Sequence, residues 1–118
     1  MDRSIENGPC LTQAHKSQIG KKEVKSLEFY GKRVGNFGVE ILSKHIIPNL
    51  ESLNLSQNEI SGEGVRILNE KTNWPNLITL DLWKNKIGDE GTTELSKNTS
   101  WKNLTTLYLT SNKIGARE

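Results

Sequence analysis

Two carboxylates, Glu28 and Asp81, are the first candidates for chemistry, because general acid–base work needs a pair of such groups converging on one substrate. The periodicity of the chain sets them on a common surface but two strands apart, roughly 10 Å at ordinary strand spacing. No neighbour is placed to hold either one protonated. His15 and His45 fall off that surface, and no serine or cysteine stands in a nucleophile motif. The run IGDEG, residues 87–91, is too short for a phosphate-cradling loop and lacks its lysine. The chain therefore reads as a non-enzyme without cofactors. One cysteine, Cys10, and two distant histidines leave neither an internal disulfide nor a structural zinc site at the usual spacings.

Recognition is better provided for. Trp83 stands where the other copies of an internal repeat carry Tyr30, Ser56 and Thr110, so no stacking demand explains an indole there, and it is expected to be exposed. Aromatic anchors dominate binding energy at interfaces. Tyr30, Trp83 and Tyr108 form a diagonal with Glu28 and Asp81 among them and Asn54 beside them. These six residues are the expected partner-binding surface. The bland alternative is one exposed tryptophan, which is a normal surface feature.

The elements that position them follow from the repeat itself. NLESLNLSQNEIS (49–61), NLITLDLWKNKIG (76–88) and NLTTLYLTSNKIG (103–115) recur at intervals of 27 residues. A weaker copy precedes them, with Val24, Leu27, Phe29, Lys32, Val34, Gly38 and Leu42 in the same order. In each copy the segment L-x-L alternates with period two and predicts a strand, whereas Ile60, Gly64 and Leu68 step by four and predict a helix. Strands joined through helices run parallel, and a unit this small must cover its apolar face by stacking on its neighbours. Leu53, Leu80 and Leu107 then form one buried row and Leu55, Leu82 and Leu109 the next, continued by Leu27 and Phe29. Each buried side chain contributes roughly 1.5 to 3 kcal/mol, so a few repeats suffice.

Other recurring residues have separate reasons. After each strand the chain turns sharply, and an amide with donors and an acceptor can satisfy the stranded backbone groups. Asn58, Asn85 and Asn112 are expected to form that structural ladder, broken by Lys32 in a terminal repeat whose turn faces solvent. Gly38, Gly64 and Gly91 predict a close approach of helix to sheet. Ser61 or Gly62, and Gly88 or Asp89, are candidate caps, with Glu63 and Glu90 in the positive first turn. Trp74 and Trp101 match Ile47 in register and are expected to pack beneath the helices. Between the inward leucines, three outward rows follow: Ser26, Ser52, Thr79 and Thr106; Glu28, Asn54, Asp81 and Tyr108; Tyr30, Ser56, Trp83 and Thr110. The hydroxyls of the first row suit a crowded, curved side.

Composition sets the outer bounds. With 33% hydrophobic residues in a chain of 118, placement matters more than amount. The formal charge of +2 is interspersed, which gives nucleic-acid or membrane binding no support. The short basic stretch Lys16 to Lys25 reads as a solvated face. The opening MDRSIENGPC has no apolar signal core, and Cys10 suits a reducing compartment, so a cytoplasmic protein is expected, with secretion lacking a signal peptide still open. The sequons at Asn54, Asn98 and Asn103 then carry little meaning.

The pattern LxxLxLxxNxI, with IGDEG and a following helix, resembles leucine-rich repeats of the ribonuclease-inhibitor-like class over residues 24–118. The resemblance implies an α/β fold, a short right-handed horseshoe segment of solenoid with a parallel inner sheet and outer helices. Residues 24–49, 50–76, 77–103 and a partial 104–118 would be its repeats, and 1–23 an N-terminal arm or partial cap. It implies protein binding through the inner strand face, with a partner of unknown identity. A GTPase regulator is the alternative by family analogy, and a structural piece that self-associates through its last strand, around Leu107 to Thr110, is a third reading. The lone cysteine sets the chain apart from the cysteine-rich ribonuclease inhibitor itself.

Overall fold

The computed structural model describes residues 24–72 and 74–113. Expectations about the arm 1–23, with Cys10, His15 and Lys16 to Lys22, and about Ile114 and the residues after it, lie outside the described residues. Strand and helix alternate along the chain: β1 (Ser26–Glu28), α1 (Gly35–Ser43), β2 (Ser52–Asn54), α2 (Gly62–Lys71), β3 (Thr79–Asp81), α3 (Gly88–Ser96) and β4 (Thr106–Tyr108). The four strands form one parallel sheet in sequence order. Its register pairs Leu27 with Leu53, Leu53 with Leu80 and Leu80 with Leu107. Helices of ordinary diameter sit about 8–10 Å apart and strands about 4.8 Å, so the stack bends with the sheet on the inside.

The core lies between sheet and helices. Leu53, Leu55, Leu80 and Leu82 are fully buried, as are Leu68 and Val65 from α2. Leu104, Leu107 and Leu109 of the last strand segment are only partly buried. Trp74 and Trp101 stack with ring centroids 6.3 Å apart and planes 11° from parallel. Together with Ile47 they fill the turns that return each helix to the next strand. In those turns Leu50, Leu77 and Leu104 donate their N–H groups to the carbonyls of Ile47, Trp74 and Trp101.

The helices begin in two different ways. Ser61 caps α2, its hydroxyl accepting the Glu63 N–H at 3.2 Å. At α3 the expected caps Gly88 and Asp89 are not used; Ile87 precedes the first turn without a side-chain cap, and Gly88 takes φ +65°. Gly35 does the same at the first position of α1, at φ +59°. A left-handed glycine and a serine cap are alternative ways of turning the chain into a helix.

The helical glycines answer to different neighbours from the sheet approach expected of them. A Cβ on Gly64 would stand 2.3 Å from Asn36 Oδ1 on α1 and 2.6 Å from Ile60 Cγ2. One on Gly91 would stand 2.2 Å from Ile87 Cγ2 and 3.2 Å from Gly62 Cα. The constraint is therefore helix against helix, and helix against the isoleucine that plugs its own turn. Asn36 uses the space: its Nδ2 donates to Ser61 Oγ at 2.8 Å and its Oδ1 accepts the Ser61 N–H at 3.1 Å.

Candidate functional site

The turns after the strands come first, because they fix the surface on which the candidate residues stand. Asn58 Oδ1 accepts the N–H groups of Lys32 at 3.0 Å and Val34 at 2.9 Å, while its Nδ2 donates to the carbonyls of Phe29 and Ser56. Asn85 repeats this on Asn58 and Ile60, donating to Leu55 and Leu82. Asn112 repeats it on Asn85 and Ile87, donating to Leu82 and Leu109. All three amides are buried, so each is spent on backbone and none is offered to a ligand. Lys32 is exposed, and its own turn is served by Asn58 from the following repeat.

A second amide series, missed at the level of sequence, runs along the opposite edge. Asn76 Nδ2 donates to the Pro48 carbonyl at 3.2 Å, and Asn103 Nδ2 to that of Pro75 at 3.0 Å. Its signal was the asparagine before the first leucine of each quoted repeat. The sequon residue Asn103 therefore has a structural bond, as do Asn54 and Asn98.

Between these edges the outward side chains form the candidate surface. Glu28, Asn54, Asp81 and Tyr108 line up across the four strands as register partners. Asn54 Nδ2 donates to Glu28 Oε1 at 2.9 Å, and its Oδ1 accepts both the N–H and the hydroxyl of Ser56. Asp81 Oδ1 accepts the Trp83 N–H at 3.0 Å. Asn54 and Asp81 thus brace the strand ends locally, which reduces what each can give a partner.

The third row departs from expectation. Ser56 is buried at 2% exposure rather than outward, held by Asn54. Trp83, expected to be exposed, is half-buried, with Lys84 Nζ 5.5 Å from its ring centroid. It still does not join the hydrophobic core. Tyr30 and Tyr108 are each 52% exposed, and Gln57 Nε2 donates to the Tyr30 hydroxyl at 3.0 Å. The structure thus brings all six candidates to one face, with Tyr30, Trp83 and Tyr108 as its apolar content.

Glu28 and Asp81 are both register partners of Asn54, so the two carboxylates stand two strands apart. Among the described residues no cluster of three or more His, Cys, Asp or Glu side chains could hold a metal ion. His45 is exposed beyond α1, its pKa pushed below the ordinary value by desolvation. A polar depression of about 230 Å³ lies at the far ends of α2 and α3, lined by Asn69, Glu70, Glu94, Lys97 and Ser100 among others. It is remote from the strand face.

The sequence pattern described as Leucine Rich repeat matches residues 47–67, 75–96 and 102–117, half of the chain. The chain belongs to the leucine-rich repeat family. Its α/β architecture is that of a leucine-rich repeat solenoid, with the parallel four-stranded sheet backed by helices. Leucine-rich repeats are in general non-enzymatic modules of protein–protein interaction. No curated protein matches this leucine-rich repeat chain. No helix among its described residues is long and apolar enough to cross a membrane.

Proposed function

We propose that the chain captures a protein partner on the outward face of its sheet, through Tyr30, Trp83 and Tyr108 with Glu28, Asp81 and Asn54 around them. The observation that carries this is that three aromatic side chains lie on one face outside the hydrophobic core, two of them, Tyr30 and Tyr108, half exposed. Large aromatics at such positions are the residue types that anchor interfaces. The outer helices and the repeat length of 27 residues favour the ribonuclease-inhibitor-like class. A cytoplasmic setting suits the lone cysteine. The GTPase-regulator reading gains no residue from the geometry and rests on analogy. The test is crosslinking in the source cell with Trp83→Ala/Tyr108→Ala against the natural chain. Loss of the crosslinked partner is expected, and an unchanged crosslink would remove the inner face from consideration.

A second reading has its own observation. Leu104, Leu107 and Leu109 stay partly exposed while their equivalents in the preceding repeat are sealed. An edge strand with half-covered leucines is a template for pairing with a second copy. Light scattering at rising concentration tests it: dimer formation is expected, and a monomer throughout excludes edge pairing.

A further inference from the structure

The turns that leave the four strands carry a marked segregation of charge. Directly before the recurring asparagine stand Gly31, Gln57, Lys84 and Ser111; directly after it stand Arg33, Glu59, Lys86 and Lys113; and Lys32 occupies the asparagine's own place in the first repeat. Lys32, Arg33, Lys84, Lys86 and Lys113 are all exposed, and Glu59 is the one carboxylate at these turn positions. The whole chain has a formal charge of only +2, so this edge holds more net positive charge than the molecule. Arg66, on the helix layer, pairs with Glu63 and Glu70.

Three of these cations stand on tight, left-handed turn positions. The backbone is left-handed at Arg33, Lys84 and Lys113, with φ of 57°, 58° and 61°, a conformation uncommon for long side chains. The edge also adjoins the aromatic face. Lys84 covers the Trp83 ring, and Tyr30 immediately precedes Gly31.

We propose that the protein segment received on the strand face is acidic and lies along this strand-exit edge. Its carboxylates meet Lys84, Lys86 and Lys113, and its apolar groups meet Trp83 and Tyr108. The inference rests on the inner-face reading above and names the chemistry of the partner. A peptide fits better than a nucleic acid because it can place its charges selectively. A phosphate backbone carries a charge at every step and would have to pass Glu59 in the middle of the edge, with Glu28 and Asp81 one row inward. An acidic peptide needs carboxylates only opposite the third and fourth repeats, about 4.8 Å apart at strand spacing and within reach of lysine stems.

The test measures fluorescence anisotropy with three labelled probes: a short glutamate-rich peptide containing leucines, the same peptide with lysine for glutamate, and a single-stranded oligonucleotide of similar charge. The rim variant is Lys84→Gln/Lys86→Glu/Lys113→Glu, in which each new residue already stands at the equivalent position of the second repeat, as Gln57 or Glu59. Trp83→Ala/Tyr108→Ala is measured in parallel, and circular dichroism checks the fold of both. The glutamate peptide is expected to bind, to weaken as salt rises, and to lose at least about tenfold in affinity for the rim variant. No binding of that peptide, equal binding by the rim variant, or tighter binding of the oligonucleotide would overturn the proposal. If the aromatic variant loses the peptide and the rim variant keeps it, the acidic-partner inference fails while the inner face stands. Loss by the rim variant alone supports the charged edge and counts against the aromatic anchors.

Discussion

Asn85 Oδ1 accepts the backbone N–H of Asn58 at 2.9 Å, so the asparagine of one repeat completes the turn of the repeat before it. The bond is buried and is renewed by Asn112 on Asn85, which makes the repeats mutually dependent along the stack. Stability should accordingly be shared between neighbours rather than held within each unit.

Asn85→Ala removes a buried amide and strands the N–H groups of Asn58 and Ile60 together with the carbonyl of Leu55, while the Leu82 carbonyl keeps Asn112. Each stranded group costs about 1–3 kcal/mol, so a total loss of about 3 kcal/mol or more is expected. Asn85→Asp keeps the acceptor and loses both donors, and should recover little of this. Urea midpoints read both variants, and an Asn85→Asp protein as stable as the natural one would show that the donated bonds contribute nothing.

Gly64→Ala tests the helix contact. Alanine gains about 1 kcal/mol of helix propensity in an open site, but here the methyl meets Asn36 Oδ1 and the buried Ile60. Overpacking of this kind costs about 1–3 kcal/mol, so a net lowering of the melting temperature is expected. A rise would mean that the contact yields freely.

Trp101 lies with its indole Nε1 buried and unpartnered among the described residues. Trp101→Ala loses the stack on Trp74 and should cost about 3–5 kcal/mol. Trp101→Phe discards the unpaired donor along with part of the ring, so its cost should stay below about 1.5 kcal/mol. Thermal melts of the pair measure the difference, and equal losses would contradict the assignment of an idle N–H.

Trp83 is the tryptophan open to solvent, since Trp74 and Trp101 are only 2% and 7% exposed. Acrylamide quenching should therefore report mainly on Trp83. Lys84→Ala lifts the ammonium from its ring and is expected to increase quenching while leaving the urea midpoint nearly unchanged. Quenching identical to that of the natural chain would place Lys84 away from the indole in solution.

The Glu63 carboxyl is held below its ordinary pKa, first by its hydrogen bond from Arg66 and then by the charge of that guanidinium. A depressed folded-state pKa means that the unfolded chain binds the proton more readily. The contribution is present above the unfolded value, about 4.3, and is lost as pH falls through the folded one. Both groups are exposed, so the effect is small and weakened by salt. Glu63→Gln should lower the melting temperature slightly at neutral pH and not at all at pH well below the carboxylate range. A deficit that persists in acid would point to a cause other than the ion pair.

The strand at Thr79–Asp81 and the helix after Ile87 were legible because periods of two and of about four are local properties of the chain. Parallel order followed, since a helix intervenes between successive strands. Burial of Trp74 and Trp101 was legible too, from their register with Ile47. The sequence also asks for donors and an acceptor at Asn58, Asn85 and Asn112, but which backbone receives them depends on the neighbour in the stack. For the same reason Gly64 could not announce that its space belongs to Asn36, twenty-eight residues earlier. Nor does strand alternation separate Ser56 from Trp83, because a serine that folds back on Asn54 and an indole roofed by Lys84 differ only in side-chain contacts. The chain alone determined which leucines face the core; the tertiary structure decided how open each residue between them is, because exposure is set by side-chain contacts, within a repeat and between repeats, that periodicity does not specify.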